Sequence, residues 1–280
     1  MTRTLAIELF REMVARPEAQ IDLASAALLI ALDEYPNLNV QKYLGKIDAM
    51  ASKIQSNIDF SIQARPTDAI ERINRFLFQV EGFRGNKEDY YDPRNSFLND
   101  VLDRRKGIPI TLSLIYLEVG KRLGLNLEGV GMPGHFIVKC VHQELEVFID
   151  PFHQGEILLE DGCKKRLQDI YGNDFQFERS FLAPVGKRQI LRRMLTNLKG
   201  IYLDRQEFRK ALSAIEKILL VNPDAADEIR DRATVHYKLN NLSAAIVDWT
   251  RYLELQPEAT DSEEVKNNLN IIGQLIALRN

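Results

Sequence analysis

Apolar positions along the first 80 or so residues recur with helical spacing. Ile21, Leu23, Ala24, Ala27, Leu28, Ala31 and Leu32 form one stripe, which Tyr35-Pro36-Asn37 stops. A second stripe runs from Val40 to Ile54 through Tyr43, Leu44, Ile47 and Met50. A third, after Pro66, carries Ala69, Ile70, Ile73, Phe76, Leu77 and Val80. These faces suit packing and carry no visible chemistry. The polar segment GFRGNKEDYYDPRNSF then reads as a loop, and Phe97 to Leu102 as a short helix ended by Lys106-Gly107. Pro109 opens a stronger helix, ITLSLIYLEVGKRLG, where its missing N–H would lack a helical partner in any case. Gly124 closes that helix.

From Leu125 the pattern becomes strand-like. LNLEGVGM, HFIVKCV and LEVFID are β-rich runs, and the last two flank His142-Gln143-Glu144 as an antiparallel hairpin. A turn centred between positions 142 and 143 sets His135, first in its strand, directly opposite Asp150, last in the next. Such partners stand about 4.5–5.5 Å apart at Cβ, close enough for imidazole and carboxylate to meet. Residues 154–186 read as loops and short helices, with Pro184-Val185-Gly186 as a boundary.

Beyond Lys187 the pattern is helical and repeats. EFRKALSAIEKILLVNP (207–223) aligns without gaps on NLSAAIVDWTRYLELQP (241–257), an offset of 34 residues. Ala211 falls on Ala245, Ile215 on Trp249, Leu219 on Leu253 and Pro223 on Pro257. The period resembles the second helix of a tetratricopeptide repeat. First helices are expected at Ile190–Asp204 and Ala225–Leu239, with a final helix at Glu263–Leu278 as a cap. As partner-binding positions the resemblance points to Tyr202, Ile215, His236 and Trp249.

The block RRKGIPITLSLIYLEVGKRLGLNLEGVGMPGHFIVK, followed by FIDPF, carries the candidate chemistry. Arg105-Lys106-Gly107-Ile108-Pro109-Ile110-Thr111-Leu112-Ser113, Pro133-Gly134-His135-Phe136 and Ile149-Asp150-Pro151-Phe152 together resemble the transglutaminase and papain-like core. More closely, they resemble the bacterial SirB-type transglutaminase-like family. The resemblance implies a helical N-terminus, a C-terminal tetratricopeptide region and a regulatory or accessory role. It also implies a cysteine nucleophile at the helix N-terminus, a histidine opening a strand, and an acid that orients it.

This chain departs from that pattern at the nucleophile. Matching the helix at its closing Leu-Gly puts Pro109 in the cysteine position. Thr111 lies about 200° round the helix, and Ser113, a weak substitute, is roughly 6 Å deeper. Cys140 belongs on the opposite strand face from His135. Cys163 has no helix N-terminus predicted beneath it. A metal set of His135, Asp150 and His153 is conceivable, but no spacing enforces it, so neither metal nor cofactor is expected.

Composition narrows the classes further. Hydrophobic residues make up 45% and charged residues 28% of the 280, as in a globular protein, and the net charge of −3 offers nucleic acid no global attraction. The apolar run Ala26–Leu32 is too short to span a bilayer. Two cysteines make no disulfide framework. The cytoplasm is the expected compartment, with no membrane partner. The expected architecture is α+β and mostly helical, with a transglutaminase-like domain at 1–186 and a repeat domain at 187–280. The expected function is a non-catalytic interaction factor that binds a protein or peptide through the repeat. The alternative is a hydrolase or acyltransferase using His135 and Asp150 with a non-cysteine nucleophile or activated water.

Overall fold

The computed structural model describes residues 3–56, 66–142 and 145–277. Two compact units divide between Met194 and Leu195. The first opens with helices α1 (Arg3–Ala15), α2 (Leu23–Ile30), α3 (Val40–Gln55) and α4 (Pro66–Asn74), the last continued by a π-helical turn, Arg75–Val80. Asp22 and Asn39 cap α2 and α3 by accepting from the amides of Ser25 and Lys42 at 2.7 and 3.0 Å. Seven of the eight residues of α2 are buried, from Leu23 to Ile30 with Ser25 excepted. An all-round apolar sequence has made a core helix.

The polar loop that follows is more ordered than its composition suggests. β1 (Arg84–Gly85) pairs in parallel with β2 (Lys106–Gly107), across the short helix α5 (Leu98–Arg104). Between them, buried Asn95 donates through Nδ2 to the carbonyls of Asp89 and Tyr90, at 2.7 and 3.2 Å. Its Oδ1 accepts from Asn86 at 3.0 Å, and its own carbonyl accepts from Thr111 Oγ1 at 2.7 Å. One side chain thereby satisfies buried groups of an otherwise irregular segment.

Helix α6 (Pro109–Arg122) is the central element: every residue from Pro109 to Gly120 is buried. Thr111 seals its start, since Oγ1 accepts from the Ile108 amide at 3.2 Å. It packs on β3 (Leu127–Val130) and β4 (Ile137–His142) of a five-stranded antiparallel sheet. β5 (Leu145–Asp150), β6 (Glu156–Leu158) and β7 (Pro184–Val185) complete it, in the order β6-β5-β4-β3-β7. Helix α7 (Glu160–Tyr171) contributes Cys163 and Leu167 to a cluster with Val130, Ile137, Phe148 and Leu158.

Several expectations are corrected here. β4 begins at Ile137, two residues after His135. Val138 faces Ile149 and His142 faces Leu145, so partners sum to 287 rather than 285, and Ile137 stands opposite Asp150. Gln143 and Glu144, at the expected turn, lie outside the described residues. Pro184–Val185, read as a boundary, is an edge strand paired with β3. The segment 154–186 holds this strand, β6 and the twelve-residue helix α7, where only loops and short helices were expected. Its strands are too short to show a period.

The second unit carries the end of α8 (Lys187–Asp204), then α9 (Phe208–Val221), α10 (Ala226–Lys238), α11 (Leu242–Leu255) and α12 (Ser262–Ala277). The repeat holds at backbone level. Left-handed residues Gln206 and Asn240 lie 240 − 206 = 34 positions apart. The turn bonds Glu207 N→Tyr202 O and Asn241 N→His236 O obey the same offset. Arg232 clasps buried Asp248 through two bonds of 2.6 and 2.7 Å, tying α10 to α11. Among the described residues no helix is long and apolar enough to cross a membrane.

Asn95→Ala strands two carbonyls and an Asn86 amide together. A loss of about 2–4 kcal/mol is expected in urea unfolding, well beyond that of an exposed Asn→Ala control.

Candidate functional site

The site begins with Asp150 at the end of β5. Pro151 forces the chain out of the strand into a 3-10 turn, Pro151–His153, and Asp150 caps it. Oδ1 accepts from the amides of Phe152 and His153 at 3.2 and 3.3 Å. His135 arrives by a separate turn. Met132-Pro133-Gly134-His135 closes through His135 N→Met132 O at 3.2 Å, with Gly134 at φ +64°, a value glycine adopts freely after proline.

Although the register differs by two from that expected, the two side chains still meet. A shift of two residues preserves strand face, so His135 stays on the side of Ile137 and Asp150. His135 Nε2 and Asp150 Oδ2 are 2.9 Å apart. His153 Nδ1 lies 2.8 Å from the same oxygen, and Arg166 Nε of α7 lies 3.2 Å from it. Asp150 is fully buried and His135 is 4% exposed.

Burial alone would raise the Asp150 pKa, yet bonds from His135 and His153, with their charges, hold the carboxyl well below the usual aspartate range. An ionised carboxylate only accepts, so His135 Nε2 and His153 Nδ1 both carry protons. That leaves Nδ1 as the ring nitrogen of His135 outside the bond to Asp150. His153 and Arg166 were not expected as orienting groups. Only the His at position 153, just after Asp150-Pro151, could have hinted at them, and Arg166 belongs to a helix the sequence pattern did not disclose.

His135, Asp150 and His153 present three ligand atoms within 4.8 Å of one another, the arrangement a metal ion would need. The Arg166 guanidinium against the same carboxylate oxygen stands where a cation would bring its charge, and its Nη1 lies 3.5 Å from His153 Nε2. These donors fit a hydrogen-bonded network better than a divalent metal.

The nucleophile candidates all have other occupations. Pro109 is the first, buried residue of α6. Ser113 is fully buried, and its hydroxyl donates to the main-chain oxygen of Phe136 at 3.3 Å. Cys140 points away from His135, on the alternate face of β4, as expected from parity. Cys163 corrects the expectation: it lies in the first turn of α7. It is nevertheless fully buried, and burial followed by the Asp150 charge pushes its thiol up to about 12. A thiol so placed stays protonated.

Of the residues expected to face a partner, Tyr202, Ile215 and Trp249 are at most 4% exposed and His236 is half-buried. Trp249 lies 5.8 Å, ring to ring, from Tyr237. Tyr202, Ile215 and Trp249 are thus packed inside the repeat, whereas His236 keeps part of its side chain exposed.

Two measurements follow. Because folding lowers the Asp150 pKa, its contribution to stability is complete above the ordinary aspartate value and is lost as pH falls towards the folded one. Asp150→Asn should therefore cost about 3–5 kcal/mol in urea unfolding at pH 7, and the gap to wild type should shrink at pH 3. With a disulfide-exchange reagent at neutral pH, Cys163 should stay unlabelled in the native chain and react only once denaturant unfolds it.

Comparison with known proteins places both parts of the chain in known families. Residues 41–196 match the Transglutaminase-like superfamily, and residues 198–270 match the tetratricopeptide repeat. A UPF0162 protein from Xylella fastidiosa is 35% identical over 96% of both chains. Protein SirB1 of Salmonella typhimurium is 26% identical over 89% of this chain and 90% of its own. F-box only protein 21 of Mus musculus is 27% identical over 82% of this chain but 36% of its own length. With the family match covering more than half the chain, and relatives spanning nearly all of it, the chain belongs to the transglutaminase-like superfamily as a SirB-type protein with tetratricopeptide repeats.

Proposed function

We propose that this chain is a non-catalytic transglutaminase-like protein, a regulatory or accessory factor of the cytoplasm that engages a protein or peptide through its tetratricopeptide repeats. The observation that carries the reading is the closed environment of the imidazole. His135 is 4% exposed, its ring centroid is 6.1 Å from that of Phe152, and the neighbouring Ser113 hydroxyl is committed to a main-chain carbonyl. General-base catalysis needs a proton donor within hydrogen-bond reach of the base. Proline in the nucleophile position has none to offer. The repeat architecture supports the interaction role, since stacked helical repeats present extended surfaces to partners.

A hydrolase or acyltransferase is the second reading. The intact bond of 2.9 Å from His135 to Asp150 favours it, because that bond fixes the tautomer which leaves Nδ1 basic.

One experiment separates the two. Wild type and His135→Ala are assayed on a panel of esters, thioesters and amides, and both are used to capture interaction partners. The non-catalytic reading expects background turnover by both proteins and the same captured partners. Turnover that vanishes with His135 would replace it by the second reading.

A further inference from the structure

Beside the turn that delivers His135 lies a pocket of about 500 Å³ within the first unit, lined by Gly131–Gly134, Ser180, Phe181, Ala183–Val185, Gln189 and Arg193. Its walls are mixed, and the apolar part is supplied by Met132, Pro133, Phe181, Ala183, Pro184 and Val185. One cation reaches it. Arg193 Nη1 donates to the Met132 carbonyl at 2.8 Å, and its guanidinium carbon sits 5.6 Å from the centroid of the Phe136 ring.

That cation has no counter-ion among the described residues. Among the described residues no carboxylate forms an ion pair with Arg193, whereas Arg104, Arg122, Arg166 and Arg188 of the same unit all have one. Burial depresses the Arg193 pKa, and the groups that offset this are the phenols of Tyr90 and Tyr171 rather than an acid. Keeping a half-buried guanidinium without an anion costs free energy that a bound anion would recover. The Met132 carbonyl is already held by the His135 amide, so the turn does not depend on Arg193 alone.

The space around the guanidinium is also set by sequence. A Cβ on Gly131 would stand 3.3 Å from Arg193 Nη1 and 3.3 Å from Val185 Cγ1, so any side chain there narrows the pocket at its charged end. A further donor lines the pocket: Gln189 accepts the Gly186 amide through Oε1 at 2.9 Å, and its Nε2 is the donor end of the same side chain.

We infer that this pocket binds the terminal carboxylate of a peptide whose last side chain is apolar, with Arg193 taking the carboxylate and Met132, Phe181 and Val185 taking the side chain. One guanidinium matches a monoanion in charge and its planar fork matches a carboxylate in shape. Phosphate, as a dianion, would require more cations than the single one present. The inference goes beyond the proposed function and does not depend on it, since every residue that lines the pocket lies in the first unit.

The test is calorimetric titration of the full chain with N-acetyl-Gly-Gly-Leu as the free acid and as its C-terminal amide. The free acid should bind about tenfold or more tightly than the amide. In Arg193→Gln the two peptides should bind alike. Gly131→Val, which crowds the charged end while keeping the arginine in the chain, should weaken the free acid by a similar factor and serves where Arg193→Gln fails to fold. Inorganic phosphate at equal concentration should not displace the peptide. The inference is overturned if the free acid shows no preference in wild type, if the preference survives both substitutions, or if phosphate competes as well as peptide.

Discussion

A single buried carboxylate organises the first unit. Asp150 ends a strand, caps the following turn, and receives one imidazole from each side while a guanidinium closes the cluster. Three separate pieces of chain meet at it: the turn before β4, the end of β5 running on into the 3-10 turn, and helix α7. Its charge can persist without water only because every oxygen is met by a donor. The His–Asp couple therefore contributes to the stability of the first unit whether or not chemistry passes through it.

Helix α6 shows the other half of that exchange. A catalytic helix start must leave its first turn open so that a thiolate can use the unpaired amides. Here Pro109 removes one of those amides, and Thr111 takes the preceding one with its hydroxyl. The helix end is sealed rather than poised. Cys163, in another helix's first turn, gains nothing from its position, because burial among Leu158, Leu167 and Phe148 outweighs any benefit from the helix end.

Much of this was legible in the sequence where elements are long and periodic. The stripes at Val40–Ile54 and in the repeat helices fall within three residues of the observed ends, and the 34-residue offset reappears in the turn bonds. Three things were not legible. A hairpin without turn chemistry at His142-Gln143-Glu144 leaves its register open by two residues, and only the face, which a two-residue shift preserves, could be read securely. Edge strands of two or three residues, such as Glu156–Leu158 and Pro184–Val185, have no period to detect. Burial of Ile215 and Trp249 could not be told from a concave apolar face, since both demand apolar residues at the same positions.

The left-handed residues Gln206 and Asn240 carry a last implication. Each ends one helix and launches the next with the same hydrogen bond, so the unit of construction is a whole helix pair bounded by identical joints. Duplicating those 34 residues would lengthen the array without asking any existing joint to adopt a new conformation, whereas adding a few residues inside a helix would rotate everything beyond it. Size variation among such arrays should therefore come in steps of complete helix pairs.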